Sequence, residues 1–99
     1  LTPELPEKEP QMLLLRIFLD AGAAVCCDHL PAQTCIFLQT GVLDIRLPAE
    51  HHRLKSGDSL YLCAGTGFTI HSLWDEPSVM IVNLSGNQMP VFTAERGQP

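Results

Sequence analysis

Residues 40–68 read TGVLDIRLPAEHHRLKSGDSLYLCAGTGF, and this stretch decides the fold. Positions 43, 45 and 47 are leucine or isoleucine, while Asp44 and Arg46 alternate with them. Because successive side chains of an extended chain point to opposite sides, this pattern predicts a β-strand with one apolar face and one wet face. Asp44 and Arg46 are interpreted as a solvated face. Turn sequences then separate the short apolar runs, at 48–50 (PAE), 56–58 (SGD) and 64–67 (AGTG).

The rest of the chain follows the same pattern, with short apolar runs and turn signals about every 8–12 residues. No long window keeps a helical period without Gly or Pro. The chain is therefore predicted to be all-β, a small antiparallel β-barrel or sandwich. A single domain is expected at residues 11–92, between a flexible N-terminal arm rich in Pro and Glu at 1–10 and a loose C-terminal tail at 93–99. The predicted strands are Gln11–Leu19, Val25–Cys27, Gln33–Gln39, Val42–Leu47, His51–Leu54, Ser59–Cys63, Phe68–Leu73 and Val79–Leu84, with a short ninth at Val91–Phe92.

Composition excludes several classes of protein. Of the 99 residues, 45% are apolar and 17% charged, which is too apolar for a disordered chain and too poor in charge for a long coiled coil. A net charge of −5 argues against nucleic acid or an anionic membrane as a direct partner. The longest apolar run, Met12–Leu19, contains Arg16 and is far shorter than the ~20 residues of a membrane span. A cytoplasmic location and free thiols at the four cysteines are expected.

The run Met12–Leu19 is apolar on both faces of the predicted strand, apart from Arg16. A strand that is apolar on both sides in so small a domain needs a second covering surface. Either a partner subunit covers it, or the strand lies inside its own barrel. With the first alternative, the chain is expected to form a homodimer.

Four segments together resemble a small single-domain cupin of the RmlC-like, cupin_2 type: 40–45 (TGVLDI), 51–62 (HHRLKSGDSLYL), 64–66 (AGT) and 74–77 (WDEP). The similarity is greatest to the cupin domain attached to many bacterial helix-turn-helix regulators, and it covers about residues 22–84. It implies a double-stranded β-helix, or jelly roll, with a central cavity. It also implies a dimer and, in the metal-dependent members, a divalent metal in that cavity.

The metal-binding motifs of the family are incomplete in this chain. Aligned on Gly57 and Gly65, the second motif has Phe68 at its histidine position. In the first motif Thr34 stands where the family has glutamate. The histidine pair falls on Asp28 and Leu30, or on Cys27 and His29 if the loop is one residue longer. At most two of four ligands remain, whereas a catalytic metal needs about three.

The resemblance and these departures favour a non-catalytic cupin, a small-molecule-sensing or dimerisation module that needs no cofactor. A small apolar or mixed-polarity ligand would then lie in the barrel. The residues proposed to contact it are His29, Thr34, Tyr61, Phe68 and Ile70, although the last two are also suited to filling the barrel.

Two enzymatic alternatives remain open. Acid–base catalysis of the isomerase or epimerase type would use His29 and Tyr61, with His71 added only if the strand register shifts. Otherwise alternation from Phe68 places His71 on the outside. A metal-dependent site would use Cys27, His29 and His71, and these thiolate and imidazole ligands favour a transition metal such as zinc or nickel.

Overall fold

The computed structural model describes residues 12–86 and 88–94, which form nine β-strands. No helix in these two ranges is long and apolar enough to cross a membrane. The strands are β1 (Met12–Leu19), β2 (Ala24–Cys27), β3 (Thr34–Thr40), β4 (Val42–Arg46), β5 (His51–Lys55), β6 (Ser59–Leu62), β7 (Phe68–Ser72), β8 (Ser78–Ser85) and β9 (Thr93–Ala94).

The strands form two antiparallel sheets. The four-stranded sheet has the order β1-β8-β3-β6, and the five-stranded sheet has the order β5-β4-β7-β2-β9. Most connections lead from one sheet to the other, as in a jelly roll. The prediction of an all-β antiparallel fold is confirmed. Within the described residues the two sheets do not close into one hydrogen-bonded barrel, and they face each other as the two sheets of a jelly roll, the predicted fold.

The core lies between the two sheets. Side chains from both inner faces interdigitate there, as expected of aligned sheets whose strands alternate between buried and exposed positions. Seven of these side chains have no exposed surface: Ile36, Leu38, Leu43, Ile45, Ile70, Met80 and Val82.

The turn between β3 and β4 depends on Gly41. Its φ of 118° lies in the region that favours glycine, and a Cβ at this position would collide with the Ser78 side chain. Ser78 is itself buried, and its hydroxyl shares a 3.1 Å hydrogen bond with the hydroxyl of Ser72. Gly41 therefore lets the turn pass close to β8 where this buried pair is located.

The strand boundaries differ from the predicted ones by one or two residues. The ninth strand is Thr93–Ala94, which pairs with β2, rather than Val91–Phe92. The first two residues of the predicted loose tail are thus part of the five-stranded sheet. The predicted arm at 1–10, Gln11 and the remaining tail residues lie outside the described residues.

Candidate functional site

Three of the residues predicted to line a ligand cavity are packed in the core. Phe68 is 5% exposed, and its ring centroid lies 6.2 Å from that of Phe92. Ile70 has no exposed surface. Thr34 is buried, and its hydroxyl donates a 2.9 Å hydrogen bond to the carbonyl of Ala32. These side chains fill the space that the resemblance assigns to a cavity.

The other two candidates lie on the outside of the molecule. His29 is exposed between β2 and β3, in a cleft shared with Asp28 and Pro90. Tyr61 is 80% exposed and borders a different cleft, beside Cys35. The five predicted residues therefore do not form one site.

The structure does not assemble the Cys27, His29 and His71 metal set. Cys27 pairs with Phe68 and is buried, whereas His71 pairs with Ala24 on the outer side of the same sheet. His71 thus points outward, as alternation predicted. Among residues 12–86 and 88–94, no three His, Cys, Asp or Glu side chains are grouped as metal ligands.

The Cys27 thiol is also poorly suited to metal binding or to nucleophilic chemistry. Burial raises its pKa above the ordinary value, and the nearby Asp28 carboxylate and Cys26 thiol raise it further. Hydrogen bonds with the backbone at His29 and Val91 lower it only in part. Because the thiolate is the form that binds metals and attacks electrophiles, a raised pKa makes Cys27 less reactive than an ordinary cysteine.

The acid–base alternative fails on placement. His29, Tyr61 and His71 each border a different cleft of the surface. A general acid and a general base must both reach one substrate at hydrogen-bond distance. This set offers no such pair.

The outer side of the four-stranded sheet presents a broad apolar surface, which we call the outer apolar face. Leu14 and Phe18 of β1 are each 64% exposed, although a strand with one wet side would carry polar residues there. The residues of this face are Met12, Leu14 and Phe18 of β1, Val79 and Ile81 of β8, Cys35 and Phe37 of β3, and Tyr61 of β6.

Strand register aligns these apolar residues in rows across the sheet, with polar side chains such as Asn83 and Ser59 between them. Leu14 pairs with Asn83, Asn83 with Cys35, and Cys35 with Tyr61, so one row crosses all four strands. The next row contains Arg16, which is the only charged residue at the outward positions of these four fully described strands. The sequence pointed to β1 alone, because the contributions of β3, β6 and β8 depend on pairing between distant segments.

One polar residue differs from the interpretation based on alternation. Asp44 lies on the outer face of the five-stranded sheet, as expected, but it is only 5% exposed and thus not solvated. Arg46, two residues on, is exposed and donates a 3.1 Å hydrogen bond from Nε to Asp44 Oδ2. The interpretation of both residues as a solvated face is therefore wrong for Asp44.

Comparison with known proteins gives the fold but no close relative. No protein-family model and no curated protein matches the chain. Among solved structures, the cupin_2 domain of an XRE family transcriptional regulator from Enterobacter cloacae superposes with a TM-score of 0.72 at 14% identity, over 88% of this chain and 95% of that one.

Two further structures have the same architecture. An RmlC-like cupin from Shewanella frigidimarina gives a TM-score of 0.70 at 14% identity, over 79% of this chain and 68% of that one. The DMSP lyase DddQ from Ruegeria pomeroyi gives 0.70 at 20% identity, over 82% of this chain and 42% of that one. Identities this low show the fold and leave the function open, since one fold hosts many functions.

Proposed function

We propose, on the premise that this chain has the fold of the RmlC-like cupins, that it is a non-catalytic dimerisation module. The outer apolar face is the single observation that carries the proposal. So many exposed apolar side chains on one face of a small domain mark an interaction site, because monomeric proteins rarely expose large apolar patches. A second copy of the chain is the proposed occupant.

The composition of the face suits a second copy. Interface cores are depleted in charge and enriched in aromatic residues and methionine, and this face has Phe18, Phe37, Tyr61 and Met12. A two-fold interface places the same surface on both sides, so a like charge at its centre would be repelled by its copy. Arg16 lies on β1, at the edge of the sheet, and not at the centre.

The dimensions are also adequate. The four strands have eight, eight, seven and four residues, and at about 3.3 Å per residue and about 4.8 Å between strands they give a flat projection of about 430 Å². Protruding side chains raise the accessible area above that figure, towards the ~800 Å² per partner of a standard interface. An interface of this size supports reversible association.

The filled interior between the two sheets favours a dimerisation module over a module that senses a ligand bound inside the barrel. Phe68 and Ile70 fill the central space together with side chains of β3 and β8. A ligand there would have to displace core side chains, which cores resist because they are close-packed. Four free cysteines suit the reducing cytoplasm in which we propose that the dimer forms.

The test is sedimentation equilibrium over a wide range of protein concentration. The unmodified chain is expected to associate to a dimer, and Leu14→Glu is expected to weaken association by at least about 100-fold. Burying a leucine is worth about 1.5–3 kcal/mol, and a two-fold interface loses the contribution twice.

Val91→Glu is the matched control, since Val91 is 72% exposed but lies outside the four-stranded sheet. It is expected to leave the dimer dissociation constant unchanged. Both substitutions are at exposed positions and are expected to leave the fold intact. The melting temperature of the monomer verifies that each variant folds. A folded chain that stays monomeric at the highest concentration contradicts the proposal.

A further inference from the structure

Strand β5 combines a basic outer side with an exposed edge of the five-stranded sheet. Its outward side chains are His51, Arg53 and Lys55, all of them exposed, and they alternate with the half-buried His52 and the buried Leu54. The sheet order places β5 at one end, where β4 is its only paired strand in the described part of the chain. One side of the β5 backbone therefore faces away from the sheet.

The hydrogen-bond pattern shows which backbone groups lie on that open side. At the turn between β4 and β5, the Leu47 amide donates a 2.8 Å hydrogen bond to the Glu50 carbonyl. Directly opposite residues of an antiparallel pair alternate between hydrogen-bonded and non-hydrogen-bonded pairs. By this alternation His51 and Arg53 belong to non-hydrogen-bonded pairs with β4. Their amide and carbonyl groups therefore point away from β4.

Two residues thus keep four backbone groups for a further strand. The next outward residue, Lys55, is already satisfied, because its amide donates a 2.8 Å hydrogen bond to Asp58 Oδ2 and its carbonyl accepts a 2.9 Å bond from the Asp58 amide. Within residues 12–86 and 88–94, no such partner is present for the amides and carbonyls of His51 and Arg53. An exposed strand edge of this kind pairs readily with the backbone of another extended chain.

Charge limits which chain can pair there. The protein has a net charge of −5, yet three of its six lysine and arginine residues, Arg46, Arg53 and Lys55, lie on β4 and β5. Neither Arg53 nor Lys55 forms an ion pair with a described residue. The carboxylate directly opposite Arg53 is that of Asp44, which is buried and accepts its hydrogen bond from Arg46 instead. The open edge therefore favours an acidic chain.

We propose that β5 binds an extended acidic peptide segment of a partner protein, which adds a sixth strand to this sheet. The backbone of the segment exchanges hydrogen bonds with His51 and Arg53. Its Asp or Glu side chains, at every second position and thus about 6.6 Å apart, lie beside Arg53 and Lys55. Opposite charges on neighbouring strands attract, whereas a basic segment is repelled. The proposal does not depend on dimerisation, because β5 and the outer apolar face belong to different sheets.

The test uses ¹⁵N-labelled protein and three blocked synthetic peptides: TTETETT, TTEETTT and TTKTKTT. Threonine suits an extended chain, and the first two peptides have the same composition and charge. Saturable shifts of the His51 and Arg53 amides are expected with TTETETT, together with slower hydrogen exchange at both, because each amide gains an acceptor. TTEETTT places only one glutamate on the basic side and is expected to bind about twofold to fivefold more weakly. TTKTKTT is expected to bind more weakly still.

Variants separate strand addition from general attraction to an acidic peptide. Arg53→Gln is expected to weaken binding of TTETETT about twofold to fivefold. Arg16→Gln is the matched control, because Arg16 is also an exposed arginine on an edge strand but belongs to the other sheet, and it is expected to bind TTETETT normally. Arg53→Glu combined with Lys55→Glu is expected to prefer TTKTKTT over TTETETT.

Two results would overturn the proposal. The first is that the His51 and Arg53 amides of the unmodified chain exchange as fast with TTETETT as without it, which would leave the basic side chains only as protection of the edge against self-association. The second is that the double glutamate variant, shown to be folded by its amide spectrum, still prefers TTETETT. Neither result bears on dimerisation, which is measured separately by sedimentation.

Discussion

Phe68→Ala distinguishes a filled sandwich from one with a ligand cavity. Phe68 is 5% exposed and packs against Phe92, so its truncation removes a buried ring and leaves a void. Such a change costs about 3–5 kcal/mol. With an unfolding entropy of about 2.1 cal/mol/K per residue, a chain of 99 residues has a total of about 0.2 kcal/mol/K. The melting temperature should therefore fall by about 15–25 °C.

Thermal unfolding followed by circular dichroism measures this change, at a protein concentration low enough to keep the chain monomeric. Val91→Ala is the control, because an exposed side chain away from the core contributes within about 0.5 kcal/mol. If Phe68 lined an open cavity, its ring would already lack partners on one side, and truncation would cost little. A decrease of less than about 5 °C, or about 1 kcal/mol, would refute the filled interior.

Three further predictions concern stability. Gly41→Ala should lower the free energy of unfolding in urea by more than Gly22→Ala does. Both glycines have positive φ, but only at Gly41 would the added Cβ collide with the Ser78 side chain. Equal decreases for the two variants would contradict this. Ser72→Ala should lower the free energy of unfolding by about 1–3 kcal/mol, because it leaves the buried Ser78 hydroxyl without its hydrogen-bond partner. Replacing both serines by alanine should destabilise the chain by less than the sum of the two single substitutions. Additive effects in this double-mutant cycle would argue against the hydrogen-bonded pair. Burial raises the pKa of the Cys27 thiol, so its contribution to stability is fully present below the unfolded pKa of about 8.5 and declines as pH rises towards the folded pKa. The difference in stability between the unmodified chain and Cys27→Val should change across that window, and a constant difference would contradict the shift.

Much of the strand pattern could be predicted because it is a local property. Alternation in Val42–Arg46 and the turn residues that follow it identified β4, β5 and β6 to within a residue or two. The ninth strand was misplaced because Thr93 and Ala94 have no apolar pattern of their own. They are extended because they pair with β2, and that contact is distant in sequence.

The site could be predicted only in part, because alternation assigns a face and not what covers it. For β1 the sequence pattern indicated that both faces of the strand are apolar. The structure excludes the alternative that the strand is enclosed by its own barrel, since Leu14 and Phe18 are exposed. For Asp44 it indicated the correct face but the wrong environment. Its burial depends on Arg46 and on neighbours from β7, and no single strand shows that arrangement.

The packed interior likewise depends on volumes summed over both sheets. The sequence showed that Phe68 stands at a position where the family has a metal ligand. That Phe68 helps to fill the interior became clear only from the positions of Ile70 and the facing strands. The identity of one residue shows which ligand type is missing. Whether the space is then open or filled is decided by packing density across the whole core.

The central claim is that two copies associate through the outer apolar face. A sample that mixes ¹³C-labelled and unlabelled protein allows nuclear Overhauser effects between protomers to be observed selectively. The account predicts intermolecular contacts from the methyl groups of Leu14 and Ile81 to aromatic protons of Phe18, Phe37 or Tyr61, and none from the outer face of the five-stranded sheet. A dimer whose intermolecular contacts map instead to Thr69 and His71, or a sample with no intermolecular contacts at millimolar concentration, would contradict it.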